Sequence, residues 1–147
     1  MTRRTHNTIV SELDLTRKYA RQGAAKFPLK PVGLWYGIDD EWLEWCKGNM
    51  EDWVRPNDFE IEIRESRICL LDTYAKITAF SHGYRTKQYG ITQIDWEGVT
   101  KNYSGIEINP YDCYDLRFHL DFMWYYGWDC ASGCIWDLSV IEEVKKL

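Results

Sequence analysis

The stretch Trp124-Tyr125-Tyr126-Gly127-Trp128-Asp129-Cys130-Ala131-Ser132-Gly133-Cys134-Ile135-Trp136-Asp137 constrains the fold more than any other, because it sets three Trp, two Tyr, two Asp and two Cys around two glycines. Each such ring brings about 150–250 Å² of surface that has to be covered. A solvated loop or an ordinary core strand needs neither that ring density nor the interleaved carboxylates. The block therefore marks either a ligand pocket or an unusually aromatic core.

A chain of 147 residues fits one domain with one core, and its aromatic fraction of 16%, with 8 Trp and 10 Tyr, is high for that size. The net charge of −5 argues against non-specific nucleic-acid binding, which needs a dense basic face. The basic clusters Arg3-Arg4 with Arg17-Lys18-Arg21, and Arg85-Thr86-Lys87, read as solvated faces. No apolar run is long enough to span a membrane and the first 25 residues lack the apolar segment of a signal peptide, so a cytoplasmic protein with no membrane partner is expected. Cys46, Cys69, Cys113, Cys130 and Cys134 are odd in number and irregularly spaced, which favours free thiols over a disulfide framework.

Residues 1–28 are polar, with Ile9, Val10, Leu13, Leu15 and Tyr19 only loosely spaced, and read as an N-terminal arm or short helix ahead of a domain over 29–147. Val32 to Tyr36 reads as a buried strand ended by Gly37, followed by a helix over Glu41 to Cys46 with Asp39 or Asp40 as cap and Gly48-Asn49 as stop. Phe59 to Arg64 alternates apolar and polar residues, the period of a half-buried strand. A turn at Glu65-Ser66 and a second strand over Arg67 to Leu71 suggest a hairpin, and Asp72 or Thr73 caps a helix carrying Tyr74, Ile77 and Phe80 that should fail by Gly83. A short helix from Asp95 leads to a strand at Gly105 to Ile108, closed by Asn109-Pro110. Residues 110–128 have no clean period and read as a functional loop, Cys134 to Trp136 as the last strand, and Leu138 to Leu147 as a helix or tail. Strands and helices mix without regular alternation, so the expected class is α+β: a single domain with small mixed or antiparallel sheets and short flanking helices.

Several chemistries lack their residues. Cys130 and Cys134 lie four apart but have no second matching pair, even with Cys113 and His119 upstream, so no metal site is expected. Ser81-His82-Gly83 and Ala131-Ser132-Gly133 do not match a nucleophile elbow, and neither a phosphate-cradling loop ending in G-K-[ST] nor a G-x-G-x-x-G turn occurs.

Leu34-Trp35-Tyr36-Gly37 resembles the opening strand of ADP-ribosyltransferases related to poly(ADP-ribose) polymerases, where a Leu-Trp-His-Gly run presents backbone amides to NAD. Ile135-Trp136-Asp137 and Ile141 are similar to that family's closing strand, and Tyr103-Ser104-Gly105-Ile106-Glu107-Ile108 to a Tyr-Asp-Gly-Ile strand of its small bacterial and phage members. The resemblance implies an ADP-ribosyltransferase-like fold, NAD as substrate, and mono-ADP-ribosyl transfer to a macromolecular acceptor by a toxin or phage effector. Two departures stand out: Tyr36 replaces the first-strand His, and Ser132 occupies the position of the catalytic Glu. Asp129, three residues earlier, is the nearest carboxylate that could take over. The implied site is thus Asp129 and Ser132 for catalysis, with Trp35, Tyr36, Gly37, Tyr126 and Trp128 holding NAD.

Taken from the residues alone, two other readings stay open. The aromatics of the 110–128 loop could anchor a protein partner, since Trp and Tyr dominate such contacts. The same pocket could also bind a nucleotide derivative without turning it over.

Overall fold

Phe59, Ile61 and Ile63 alternate with Glu60 and Glu62, and all three apolar side chains are buried on one face of a strand, as their period requires. The computed structural model describes residues 2–19, 21, 22, 29–88, 90–111, 116 and 119–147. In chain order these form β1 (Arg4–Thr8), β2 (Leu34–Ile38), α1 (Glu41–Asn49), β3 (Asn57–Ile63), β4 (Ile68–Leu71), α2 (Tyr74–Tyr84), β5 (Arg85–Gln88) and β6 (Ile91–Ile94). There follow α3 (Trp96–Thr100), β7 (Gly105–Ile108), α4 (Met123–Tyr126), β8 (Ser132–Ile135) and β9 (Ile141–Lys146), with short 3-10 turns that include Glu51–Trp53 and Leu138–Val140.

Seven strands make one sheet in the order β4-β7-β8-β2-β1-β3-β9, and β5 and β6 form a separate hairpin. Only β4 and β7 run parallel among the described pairs. A parallel pair needs a long crossover, and residues 72–104 supply it as α2, the β5-β6 hairpin and α3.

The link between β3 and β4 forces the sheet to curl. Four strands separate them in the sheet, a span of about 24 Å if flat. The chain from Ile63 to Ile68 can reach only about 18 Å. The ends therefore bend toward each other, and Ile68 packs with Ile61, Ile63 and Ile141 in one inner cluster that also holds Leu34, Tyr36, Ile38 and Ile135. Leu138 and Val140 of the 3-10 turn plug it.

The outer face carries the larger cluster, in which Ile106, Ile108 and Cys134 of the sheet meet Ile77, Phe80, Trp96, Val99, Trp124, Tyr125 and Trp128. The crossover elements and α4 cover this face over β4, β7 and β8. At the other end α1 lies on Gly37, where an added Cβ would come within 2.8 Å of the Trp42 Cβ, so only glycine admits the helix. The two coverings leave an opening between them, over β2 and β1. The result is a single small mixed α/β domain built on a curled sheet with few helices.

Several sequence expectations are corrected here. Arg4–Thr8 is no arm or helix but an interior strand between β2 and β3, held by backbone pairing that its polar side chains do not reveal. β4 forms no hairpin with β3; it crosses the curled sheet to pair with β7. Leu138 to Leu147 is a 3-10 turn and a strand instead of a helix, because β3 offers it an open edge. Gly37 lies inside β2 and does not end it. The β5-β6 hairpin had no counterpart in the sequence reading. The 110–128 segment contains α4 and buries Phe122, Trp124 and Tyr125, so much of the expected loop is core, while 112–115, 117 and 118, including Cys113, lie outside the described residues. Among the described residues no helix is long and apolar enough to cross a membrane.

Candidate functional site

Strand alternation decides what faces the opening. Gly37 pairs with Thr5, so Trp35 and Gly37 of β2 and Thr5 and Asn7 of β1 share the outer face and floor a cleft of about 390 Å³. Trp42 of α1 and Trp53 of the following 3-10 turn line it from one side, and Lys30, Trp128, Asp129 and Cys130 from the other. His6, Tyr36, Arg55 and Ser132 also line it. The volume is within the usual range for small-molecule sites.

Both aromatic walls are braced from behind. Trp128 is 1% exposed and packs on Trp35 with ring centroids 5.0 Å apart, while its far side meets Trp96 and Trp124. Opposite, Trp42 stacks on Trp45 at 5.4 Å and on Trp53 at 6.2 Å. Rings fixed by rings lose little freedom when a planar ligand arrives.

The polar groups are placed with equal economy. Asn7 Nδ2 donates to the Arg55 carbonyl at 2.8 Å and Asn7 Oδ1 accepts from the Arg55 amide at 2.7 Å, which pins the strap carrying Trp53 and Arg55 over the floor. Lys30 Nζ lies 3.7 Å from Asp129 Oδ2 and 5.4 Å from the Trp35 ring centre. Ser132 Oγ donates to the Cys130 carbonyl at 2.9 Å. His6 Nδ1–H donates to the Trp35 carbonyl at 2.5 Å, and burial lowers its pKa below 6.5 despite that bond and nearby Asp58. His6 is therefore held toward its neutral form. Burial also pushes the Cys130 thiol up to about 12, aided by the negative charges of Glu41 and Asp129, so it is a poor nucleophile.

Behind the floor lies a buried charge cluster. Glu107 of β7 takes a hydrogen bond from the Tyr36 hydroxyl at 2.7 Å and two from the Arg4 guanidinium at 2.6 and 3.2 Å, and Arg4 also reaches Glu65 at 2.6 Å. Burial works against the Arg4 charge, but the bonds to Glu107 and Glu65 outweigh it and leave the guanidinium more basic than usual. Burial, then Glu107, raises the Tyr36 phenol well above 10, so it stays protonated and donates. Gly133 makes the arrangement possible, because a Cβ there would overlap the Tyr36 ring.

Of the residues singled out from the sequence, Trp35, Tyr36, Gly37, Trp128, Asp129 and Ser132 all line this one cleft. Tyr126 does not: it ends α4 on the side away from Trp124 and Tyr125 and is 46% exposed. Trp124, expected as an exposed anchor for a partner, is fully buried with its indole N–H donating to Ser81 Oγ at 3.1 Å. Arg4 is no part of a basic face, since it is buried on Glu107. Sequence reasoning missed Thr5, His6, Asn7, Lys30, Trp42, Trp53 and Arg55 as cleft residues. Trp42 and Trp45, three apart on a short helix, gave a usable signal, as such a face needs a cover. Asn7 and Arg55 gave none, since they meet only through the β1-β3 pairing.

No known protein family, curated protein or solved structure matches the chain.

Proposed function

We propose that the cleft binds NAD or a related nucleotide derivative, holding a planar base against the accessible rings of Trp35, Trp42 and Trp53. What supports this reading is the convergence on one aromatic cleft of Trp35, Tyr36, Gly37 and Trp128, picked from the sequence for holding NAD, with Asp129 and Ser132, picked for catalysis. On the same reading the fold groups with ADP-ribosyltransferases, and the support is that β2, with Leu34 to Gly37, pairs antiparallel with β8, which holds Ser132 and Ile135, and β8 in turn pairs with β7, which holds Gly105 to Ile108. Titration with NAD should quench intrinsic fluorescence saturably in the wild type and much less in Trp53→Phe. Absence of any fluorescence or calorimetric response to NAD, ADP-ribose and AMP would overturn the proposal.

A transferase is the second reading, favoured by Asp129 on the cleft wall with its side chain 23% exposed. The glycosidic C–N bond of NAD breaks with the electron pair leaving on nicotinamide, and an acceptor nucleophile forms the new bond to the ribose carbon and gives up its proton. A carboxylate beside the ribose stabilises the positive charge that develops on the sugar. Ser132 cannot replace a glutamate in that task, because it is neutral and its hydroxyl is committed to Cys130. Nicotinamide release in the presence of lysate proteins should fall by about a hundredfold in Asp129→Asn. Equal release by the variant would leave a binding protein.

A further inference from the structure

Two permanent cations line the cleft, and they differ in one respect. Lys30 is compensated by Asp129 and leans over the Trp35 ring. Arg55 has no ion pair among the described residues, and its backbone, unlike its side chain, is fixed at both N–H and C=O by Asn7. Burial holds His6 toward its neutral form. Among the described residues Arg55 is thus the cleft cation without an ion pair, in a chain whose net charge is −5.

We infer that Arg55 is the anion-recognising residue of the cleft and that the ligand is a nucleotide whose phosphate meets Arg55 while its base lies against the tryptophans. The inference rests on the nucleotide reading of the cleft and adds its polarity and its specificity determinant. Three observations carry it. A guanidinium presents a planar fork of donors that matches a phosphate with two parallel hydrogen bonds. Trp53 and Arg55 sit two residues apart on one strap, the Trp53 ring held by Trp42 and Trp45 and the Arg55 backbone by Asn7, so ring and charge reach the cleft together. Among the described residues that line the cleft the one carboxylate, Asp129, is already matched by Lys30, and Asp58 at its edge is engaged by Asn7, which leaves Arg55 without an ion pair. Asn7 is then a positioning residue for Arg55, whose backbone it holds from the cleft floor.

The test compares AMP with adenosine by calorimetry, on the full chain. In the wild type AMP should bind about tenfold more tightly than adenosine, the size of one charge-assisted contact. Arg55→Ala should bring the two affinities together with adenosine binding unchanged, and Arg55→Lys should keep part of the gap. Asn7→Ala should shrink the same ratio and speed hydrogen exchange at the Arg55 amide, a change that general loosening of the fold would not confine to that site. Arg55 is exposed, so its variants should melt with the wild type. Equal affinities for AMP and adenosine in the wild type, or a ratio untouched by Arg55→Ala, would overturn the role of Arg55 while leaving the nucleotide cleft in place. Failure of AMP, adenosine and NAD alike to bind would overturn both.

Discussion

Gly133 is held to glycine by what lies on both sides of it. It faces Tyr36 across the β2-β8 pairing and Glu107 across β7-β8, and only a missing side chain lets the Tyr36 ring cross to that carboxylate. The sequence pattern showed Glu107 as the polar member of an alternating strand, which ordinarily means a solvent-facing side chain. Curling inverts that rule here, since both faces of β7 are covered and the carboxylate must find Arg4 and Tyr36 inside. His6 gives this scale a pH signature. Burial lowers its folded pKa below the unfolded value near 6.5, so its contribution to stability is complete above that value. As the pH falls the unfolded chain takes up the proton first, and stability is lost down through the folded pKa. Thermal midpoints of wild type and His6→Gln, compared between about pH 7 and 5.5, should therefore converge or cross on acidification, with the wild type losing more. Parallel curves would show that His6 is not held neutral by the fold.

At the scale of elements, local signals were readable and long-range ones were not. The β3 alternation, α1, the Thr73 cap that accepts from the Lys76 amide at 3.2 Å, and β7 all stand where the sequence put them, within a few residues. Each is specified by its own side chains. β1 and β9 are specified by what they pair with: Thr5-His6-Asn7-Thr8 carries no apolar period, and Glu142, Glu143, Lys145 and Lys146 resemble a solvated tail. The candidate site shares this divide, because its β2 and β8 halves were legible while its floor from β1 was not. The interior position of β1 has a measurable result. Deleting residues 1–8 separates β2 from β3 and removes Arg4 from Glu107, so the truncated chain should lose its cooperative melt by far-UV circular dichroism. A truncated chain that melts as the intact one does would refute the sheet order.

Seen as a whole, the molecule keeps its tryptophans on one side. Trp35, Trp96, Trp124, Trp128 and Trp136 belong to the outer cluster, and Trp42, Trp45 and Trp53 pack together beside Gly37 on the same face. The inner cluster holds none. Both clusters share one sheet, so chemical unfolding followed by tryptophan fluorescence should coincide with unfolding followed by far-UV dichroism. A fluorescence transition that runs ahead of the dichroism would mean that the outer layer melts away from an intact sheet. The rim of that sheet also bears on how the protein behaves in a crowd. β9 is an edge strand, and among the described residues one row of its backbone groups has no strand beside it, an invitation to any passing extended chain. Its exposed Glu142, Glu143, Lys145 and Lys146 make the invitation hard to accept, because copies stacking there in parallel register, as in a fibril, bring Glu over Glu and Lys over Lys. The residues that most resembled an unstructured tail thus act as gatekeepers against fibrous self-association.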